Sequence, residues 1–280
     1  MKRRTYTHRE PPAHGQKPRS SAKETLLRLA RGVDGGIVTA ALAAALLGIS
    51  EAAARTTLQR LCRGGWISRL RQGVYLVLPL EAKAGTGDAV EDAWVLASSL
   101  FKPCYIGGWS AAEHWGLTEQ IFRSTFVVTA ASVRGKDAIV GGVEFRLARV
   151  PAPRLEGSTL IWRGPVRVPA SDRERTIVDA LVSPGWVGGI RHLVAIIRAY
   201  RESPEWRPER LSQRLTERAS GAAWKRFGFI AESGLDLGAS LIAEALTHRS
   251  RGIVRLDPGI ASRGRMNKRW GLWVNVPVER

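Results

Sequence analysis

The sequence predicts an α/β protein of the α+β kind: a small helical head closed by a β-hairpin, then a larger mixed α/β body. Three observations predict it. Three short helix-like segments precede residue 65 and two strand-like runs follow directly. Helical and strand-like segments are mixed after residue 90. Between them, PLEAKAGTGDA (79–89) is a break in composition of the kind that joins domains. At 280 residues and 44% apolar content, the chain has material for two cores.

Residues 1–20 read as a disordered basic arm, rich in proline and charge with little to bury. Ser20 or Ser21 can cap a first helix over Lys23 to Arg31, with Leu26, Leu27 and Ala30 on one face. Glycines 32, 35 and 36 end it. Thr39 caps a second helix, AALAAALLG, which stops at Gly48; Ser50 caps a third, EAAARTTLQRLCRGG, which stops at Gly64 and Gly65. Strands WISRL and GVYLVL follow, joined by Arg71-Gln72-Gly73, where the glycine supplies the turn. Helix, helix, turn, helix and hairpin is the order of a winged helix-turn-helix, assigned here to residues 21–80. With 81–89 as linker, residues 90–280 form the second domain. Its expected helices are 89–100, 109–115, 172–183, 188–202, 208–219, 221–233 and 238–247. Its expected strands are 125–129, 143–150, 159–162, 165–168 and the terminal WGLWVNVPV.

Charge points to a partner for the head. The formal net charge is +18, and residues 1–80 hold 14 Lys and Arg against 4 Asp and Glu. A pI of about 11.1 with charge gathered at one end is the footprint of a nucleic-acid binder, although an arginine-rich composition produces the same total. On a projection of the third helix, Ala54, Leu58, Leu61 and Cys62 share an apolar face. The opposite face carries Thr56, Gln59, Arg60 and Arg63, with Arg55 at its flank and no acid. These side chains reach base edges and phosphates in a major groove. The hairpin adds Arg69, Arg71 and Gln72 beside the neighbouring backbone. The expected partner is double-stranded DNA.

Other chemistry is weakly supported. Cys62 and Cys104 are isolated thiols, and the five histidines lack metal-ligand spacing, so no metal or cofactor is expected. The longest apolar stretch, Ile37 to Ile49, is too short for the roughly 20 residues of a membrane span, and the N-terminus is no secretory signal. A cytoplasmic protein without a membrane partner is expected. YIGGWSAAEHWGLTEQ (105–120) holds Ser110, Glu113 and His114, but Ser110-x-x-Glu113 fits a capping box and no nucleophile elbow surrounds it. SDRERTIVDAL (171–181) reads as a second capping box, Ser171 with Glu174, followed by an Arg175–Asp179 pair four residues apart. The same Asp172, Glu174 and Asp179 could instead form a metal-dependent nuclease site, which nothing local completes. The phosphate-binding fingerprints GxGxxG and GxxxxGK[ST] are absent. The chain is read as a regulator and not as an enzyme; a ligand-sensing repressor without a toxin partner is the alternative. AAWKRFGFIAE (222–232) and SRGRMNKRWGLWVN (262–275) interleave aromatic and basic residues. That pattern suits a core with a solvated charged rim, or a patch of Arg263, Arg265, Lys268 and Arg269 that contacts RNA, nucleotide or an acidic partner surface.

RQGVYLV, YIGGWSAAEHWGLTEQ, ERTIVDALVSPGWVGGI and LDPGIASRGRMNKRWGLWVN together resemble AbiEi-type antitoxins of type IV toxin–antitoxin systems and related phage-defence regulators. The resemblance spans most of residues 20–280. It implies a winged helix that represses its own operon by binding inverted repeats. It also implies a C-terminal antitoxin domain that counteracts a nucleotidyltransferase-like toxin without needing a stable complex. The long basic N-terminal arm departs from the family's usual pattern.

Overall fold

A computed structural model describes residues 22–33, 36–77, 92–133, 135–140, 142–164, 166–235, 237–261 and 264–278. The chain divides into two units, Met1–Leu80 and Glu81–Arg280. The expected arm, the expected linker and the two candidate caps Ser20 and Ser21 lie outside the described residues.

In the first unit, α1 (Ala22–Gly32), α2 (Ala40–Leu47) and α3 (Glu51–Arg63) pack with a small sheet of β1 (Ile37–Thr39), β2 (Ile67–Arg71) and β3 (Val74–Val77). The α1 face is rotated from the expected one. Thr25, Leu26 and Leu29 are buried, Leu27 is half-buried and Ala30 is exposed, because Leu29 and Val33 continue the stripe from Leu26 at helical spacing. Thr39 accepts from the Leu42 amide to start α2, and Gly48 ends it in the left-handed region at φ 67°. Ser50 accepts from the Ala53 amide to start α3. The sheet order is β1-β3-β2, antiparallel throughout. Sequence reading missed β1: the β-branched run Ile37-Val38-Thr39 is only three residues long, and its pairing to β3 is a tertiary event. Ala54, Leu58 and Leu61 of α3 close the core against Leu26, Leu29 and Ala43.

The second unit is built on a six-stranded mixed sheet ordered β6-β7-β5-β4-β9-β8. Its strands are β4 (Cys104–Ile106), β5 (Thr125–Thr129), β6 (Asp137–Val140), β7 (Val143–Arg149), β8 (Thr159–Arg163) and β9 (Val166–Ala170). The pairs β5–β7 and β4–β9 are parallel and the rest antiparallel. The helices are α4 (Ala93–Leu100), α5 (Gly108–His114), α6 (Arg173–Val182), α7 (Ile190–Glu202), α8 (Pro208–Arg218), α9 (Gly221–Ile230) and α10 (Ala239–His248). A second, three-stranded sheet, β10 (Val254–Arg255), β11 (Arg265–Asn267) and β12 (Leu272–Val274), ends the described chain. The main core joins Ile177, Leu181, Leu193, Ile197, Phe227 and Trp270. Gly228 is required there: a Cβ would lie 2.1 Å from the Trp270 ring. No single helix among the described residues is long and apolar enough to cross a membrane.

Candidate nucleic-acid interface

The first unit presents the basic face of α3 outward. Ala54, Leu58 and Leu61 turn into the core, while Arg55, Thr56, Gln59, Arg60 and Arg63 are all exposed. Arg55 is partly committed, because its guanidinium lies 2.5 Å from the Glu51 carboxylate one turn earlier. Exposed pairs of this spacing contribute only about 0.3–0.5 kcal/mol, so a phosphate could displace Glu51 at small cost. Thr56 donates its hydroxyl to the Ala52 carbonyl, leaving its oxygen lone pairs outward. Gln59, Arg60 and Arg63 have no acidic partner among the described residues. In the hairpin, Arg69 is exposed on β2 and opposes Tyr75 of β3. A register shift between Arg69 and Arg71 precedes the turn, where Gln72 is exposed and Gly73 takes φ 76°.

Helices, sheet and basic face thus occur together in one compact unit. Residues 24–77 match the AbiEi antitoxin family of transcriptional regulators. This match supports a DNA-binding regulator. The AbiEi-matching segment spans α1 to β3, the elements that carry the face just described. Over 90% of each chain, the fold is similar to that of a solved structure, the RV2827C protein from Mycobacterium tuberculosis, with a TM-score of 0.60 at 20% identity. No curated protein matches the sequence.

The second unit handles charge differently from the AbiEi-matching segment. At the start of α6 the structure corrects the expected capping box. Asp172, not Ser171, is the cap, and its carboxylate accepts from the Arg175 amide at 2.7 Å. Ser171 is buried one residue too early to cap and instead shares a hydrogen bond with the Thr176 hydroxyl. Glu174 makes no reciprocal cap bond; it accepts a short hydrogen bond from the Tyr200 hydroxyl. The expected Ser110–Glu113 capping box fails likewise. α5 begins after Gly107, which places Ser110 inside the helix, where its buried hydroxyl accepts from the Phe126 amide. Both spacings were real, but each helix begins at a different residue from the one expected.

Arg175 and Asp179 do pair, as an ion pair at 3.5 Å, and both are buried. The Arg175 guanidinium also donates to the Glu156 and Arg154 carbonyls, each at 2.7 Å, and lies over the Tyr105 ring. The Tyr105 hydroxyl donates to Asp179 at 2.7 Å. Burial pushes the Asp179 carboxyl up from its ordinary range, against the pull of Arg175. The three carboxylates of the nuclease alternative therefore serve separate partners: Asp172 pairs with Arg214 at 2.7 Å, Glu174 meets Tyr200 and Arg210, and Asp179 meets Tyr105 and Arg175.

In α9 the expected solvated rim is overturned. Trp224 and Phe227 are core, but Lys225 and Arg226 are buried with them, at 1% and 5% exposure. Arg226 donates to the carbonyls of Leu181, Leu256 and Arg255, tying the end of α6 to β10 and the residue that follows it. Burial pulls its pKa below the ordinary arginine value. Asp257 is a further residue that sequence reasoning missed: its carboxylate accepts from the Ile190 amide and so caps α7, whose own cap position is Gly189. Of the candidate patch, the described members Arg265, Lys268 and Arg269 are all exposed. Arg263 lies outside the described residues, Arg265 is exposed on β11, Arg269 pairs with Glu232 at 2.9 Å, and Lys268 borders a separate cavity.

Proposed function

We propose that this protein is a transcriptional autorepressor and antitoxin of a type IV toxin–antitoxin operon. The first unit acts as a winged helix-turn-helix, with α3 in the major groove of an inverted-repeat operator and the β2–β3 hairpin beside the backbone. The observation that carries this reading is the acid-free outer face of α3, Gln59, Arg60 and Arg63, inside the segment that matches AbiEi antitoxin regulators. Thr56, Arg55, Arg69, Arg71 and Gln72 complete the DNA contacts. The second unit is the antitoxin part, acting on a nucleotidyltransferase-like toxin by binding or indirect antagonism rather than by catalysis, in the cytoplasm. Arg265, Lys268 and Arg269 are candidate contacts for that function.

Gel-shift titration of the purified chain with the DNA upstream of its own gene, at fixed salt, tests the first half. Binding that is sequence-specific and lost in an Arg60→Ala/Arg63→Ala variant is expected; specific binding that survives the double substitution sinks the assigned face. Co-expression with an adjacent nucleotidyltransferase-like gene tests the second half. Growth rescue by the same DNA-binding-defective variant is expected, and failure of the wild-type chain to rescue removes the antitoxin reading.

A large groove of about 920 Å³ on the six-stranded sheet favours a second reading, a repressor that senses a small ligand. Phe126, Ala148 and Trp186 line the groove together with Lys136, Arg149 and Arg154. An anionic effector that releases the operator in the gel shift would be the expected sign of this reading.

A further inference from the structure

Lys225 poses a problem that the regulator reading leaves unanswered. Its side chain is almost completely buried, yet its one hydrogen bond given by the structure is to a neutral acceptor, the Gly252 carbonyl, at 2.6 Å. An ammonium group has three donors, and a buried charge is costly without a counter-charge. No carboxylate lines the cavity beside it. That cavity, about 320 Å³, is bordered by Lys225, Arg249, Arg251 and Lys268, by the backbone around Ser250 and Gly252, and by Trp270 and Gly271. Four cations thus face one small space. Burial, and after it the nearby Arg249, pulls the Lys225 pKa below the ordinary lysine value.

The surroundings account for only part of this charge. Arg249 caps the C-terminus of α10, whose dipole supplies roughly half a negative charge. Lys225 holds the loop after α10 through the Gly252 carbonyl, and two main-chain bonds hold it as well, from the Ser250 amide to the Gly221 carbonyl and from the Val254 amide to the Gly271 carbonyl. Gly271, at φ 61°, keeps the floor open: a Cβ there would lie 2.8 Å from the Gly252 oxygen and 3.2 Å from the Lys225 ammonium.

We infer that this cavity binds a terminal phosphate group, a phosphomonoester, between Lys225 at its floor and Arg249, Arg251 and Lys268 at its rim. A monoester suits the site better than the phosphodiester of a continuous strand, because it carries up to two charges and offers three terminal oxygens to converging donors. The group could come from a free nucleotide or from the 5′ end of a nucleic acid. The inference concerns the second unit and stands apart from the DNA reading of α3.

Thermal unfolding of the full-length protein tests it, with inorganic phosphate compared against chloride at equal ionic strength. Binding to the folded state stabilises it by RT ln(1 + [L]/Kd) and so raises Tm as the ligand concentration rises. A phosphate-specific rise is expected, abolished in Lys225→Met and weakened about tenfold in apparent affinity in Arg249→Gln and Lys268→Gln. Arg167→Gln, on β9 away from the cavity lining, is expected to respond as wild type. Should Lys225→Met fail to fold, the two exposed rim variants still decide. Titration with adenosine monophosphate and with a short RNA bearing either a 5′-phosphate or a 5′-hydroxyl separates the two sources. Tight binding of the mononucleotide identifies a free nucleotide; preference for the phosphorylated RNA over its hydroxyl twin, without mononucleotide binding, identifies a strand end. No phosphate effect beyond chloride, or an equal effect in Arg249→Gln and Lys268→Gln, overturns the inference.

Discussion

The two units use arginine in opposite ways. In the first, Arg60, Arg63 and Arg69 stand in solvent with no acidic partner among the described residues. In the second, Arg175 and Arg226 are buried and donate to main-chain carbonyls from distant parts of the chain. An exposed guanidinium keeps its donors for a phosphate or a guanine edge; a buried one fixes the path of loops. The same residue type therefore signals a partner in one region and architecture in the other. The total charge of +18 does not distinguish them.

The sharpest way to break this contrast is Arg175→Ala. It leaves Asp179 buried without its cation and the carbonyls of Arg154 and Glu156 short of donors. A loss of about 3–5 kcal/mol in stability is expected from denaturant unfolding. Arg175→Met with Asp179→Leu removes the pair together and is expected to recover part of that loss, since an apolar replacement leaves no orphan charge. A result within 0.5 kcal/mol of wild type for the single variant, a threshold typical of surface changes, would place Arg175 with the surface arginines.

Arg60→Ala is the converse experiment. It is expected to weaken operator binding by about 1–3 kcal/mol at fixed salt and to leave unfolding unchanged. A matching drop in stability would mean that Arg60 also supports the fold. Ser50→Ala removes the side-chain acceptor for the Ala53 amide at the start of α3, and a stability loss of about 1 kcal/mol is expected from denaturant unfolding.

The smallest expected effect is a pH response at His114, an exposed residue whose ring packs tilted against Trp94 and edge-on against Trp115. Partial desolvation against the two indoles, with Arg163 and Arg173 nearby, holds its pKa below the ordinary 6.5. The unfolded chain then binds the proton more readily than the folded one. Stability is expected to be full above pH 6.5 and to fall as pH drops below it through the folded value. His114→Gln should flatten that slope in unfolding curves collected across the window. An unchanged slope would assign the pH response to other groups.

Much of the first unit was legible because local rules settle it. Thr39, Gly48 and Ser50 mark helix ends through bonds made within a few residues, and the α3 face follows from spacing alone. The same logic reached the start of α6 but chose the neighbouring residue, since S-x-x-E and Asp172 offer competing caps one position apart. It could not find β4 or β6. β4 is three residues long, and its pairing to β5 and β9 depends on partners far along the chain. Nor could it foresee Lys225 and Arg226, which sit between core aromatics in a sequence pattern that also suits a solvated edge.

By itself the sequence determined where helices begin and end in the head, which arginines line α3, and that Arg175 and Asp179 stand one turn apart. Only the tertiary structure decided which charges are buried. A charge enters the core when carbonyls or carboxylates from remote segments converge to replace its water, as Leu181, Arg255 and Leu256 do around Arg226. That convergence links residues up to 45 positions apart in the chain, beyond the reach of any local pattern.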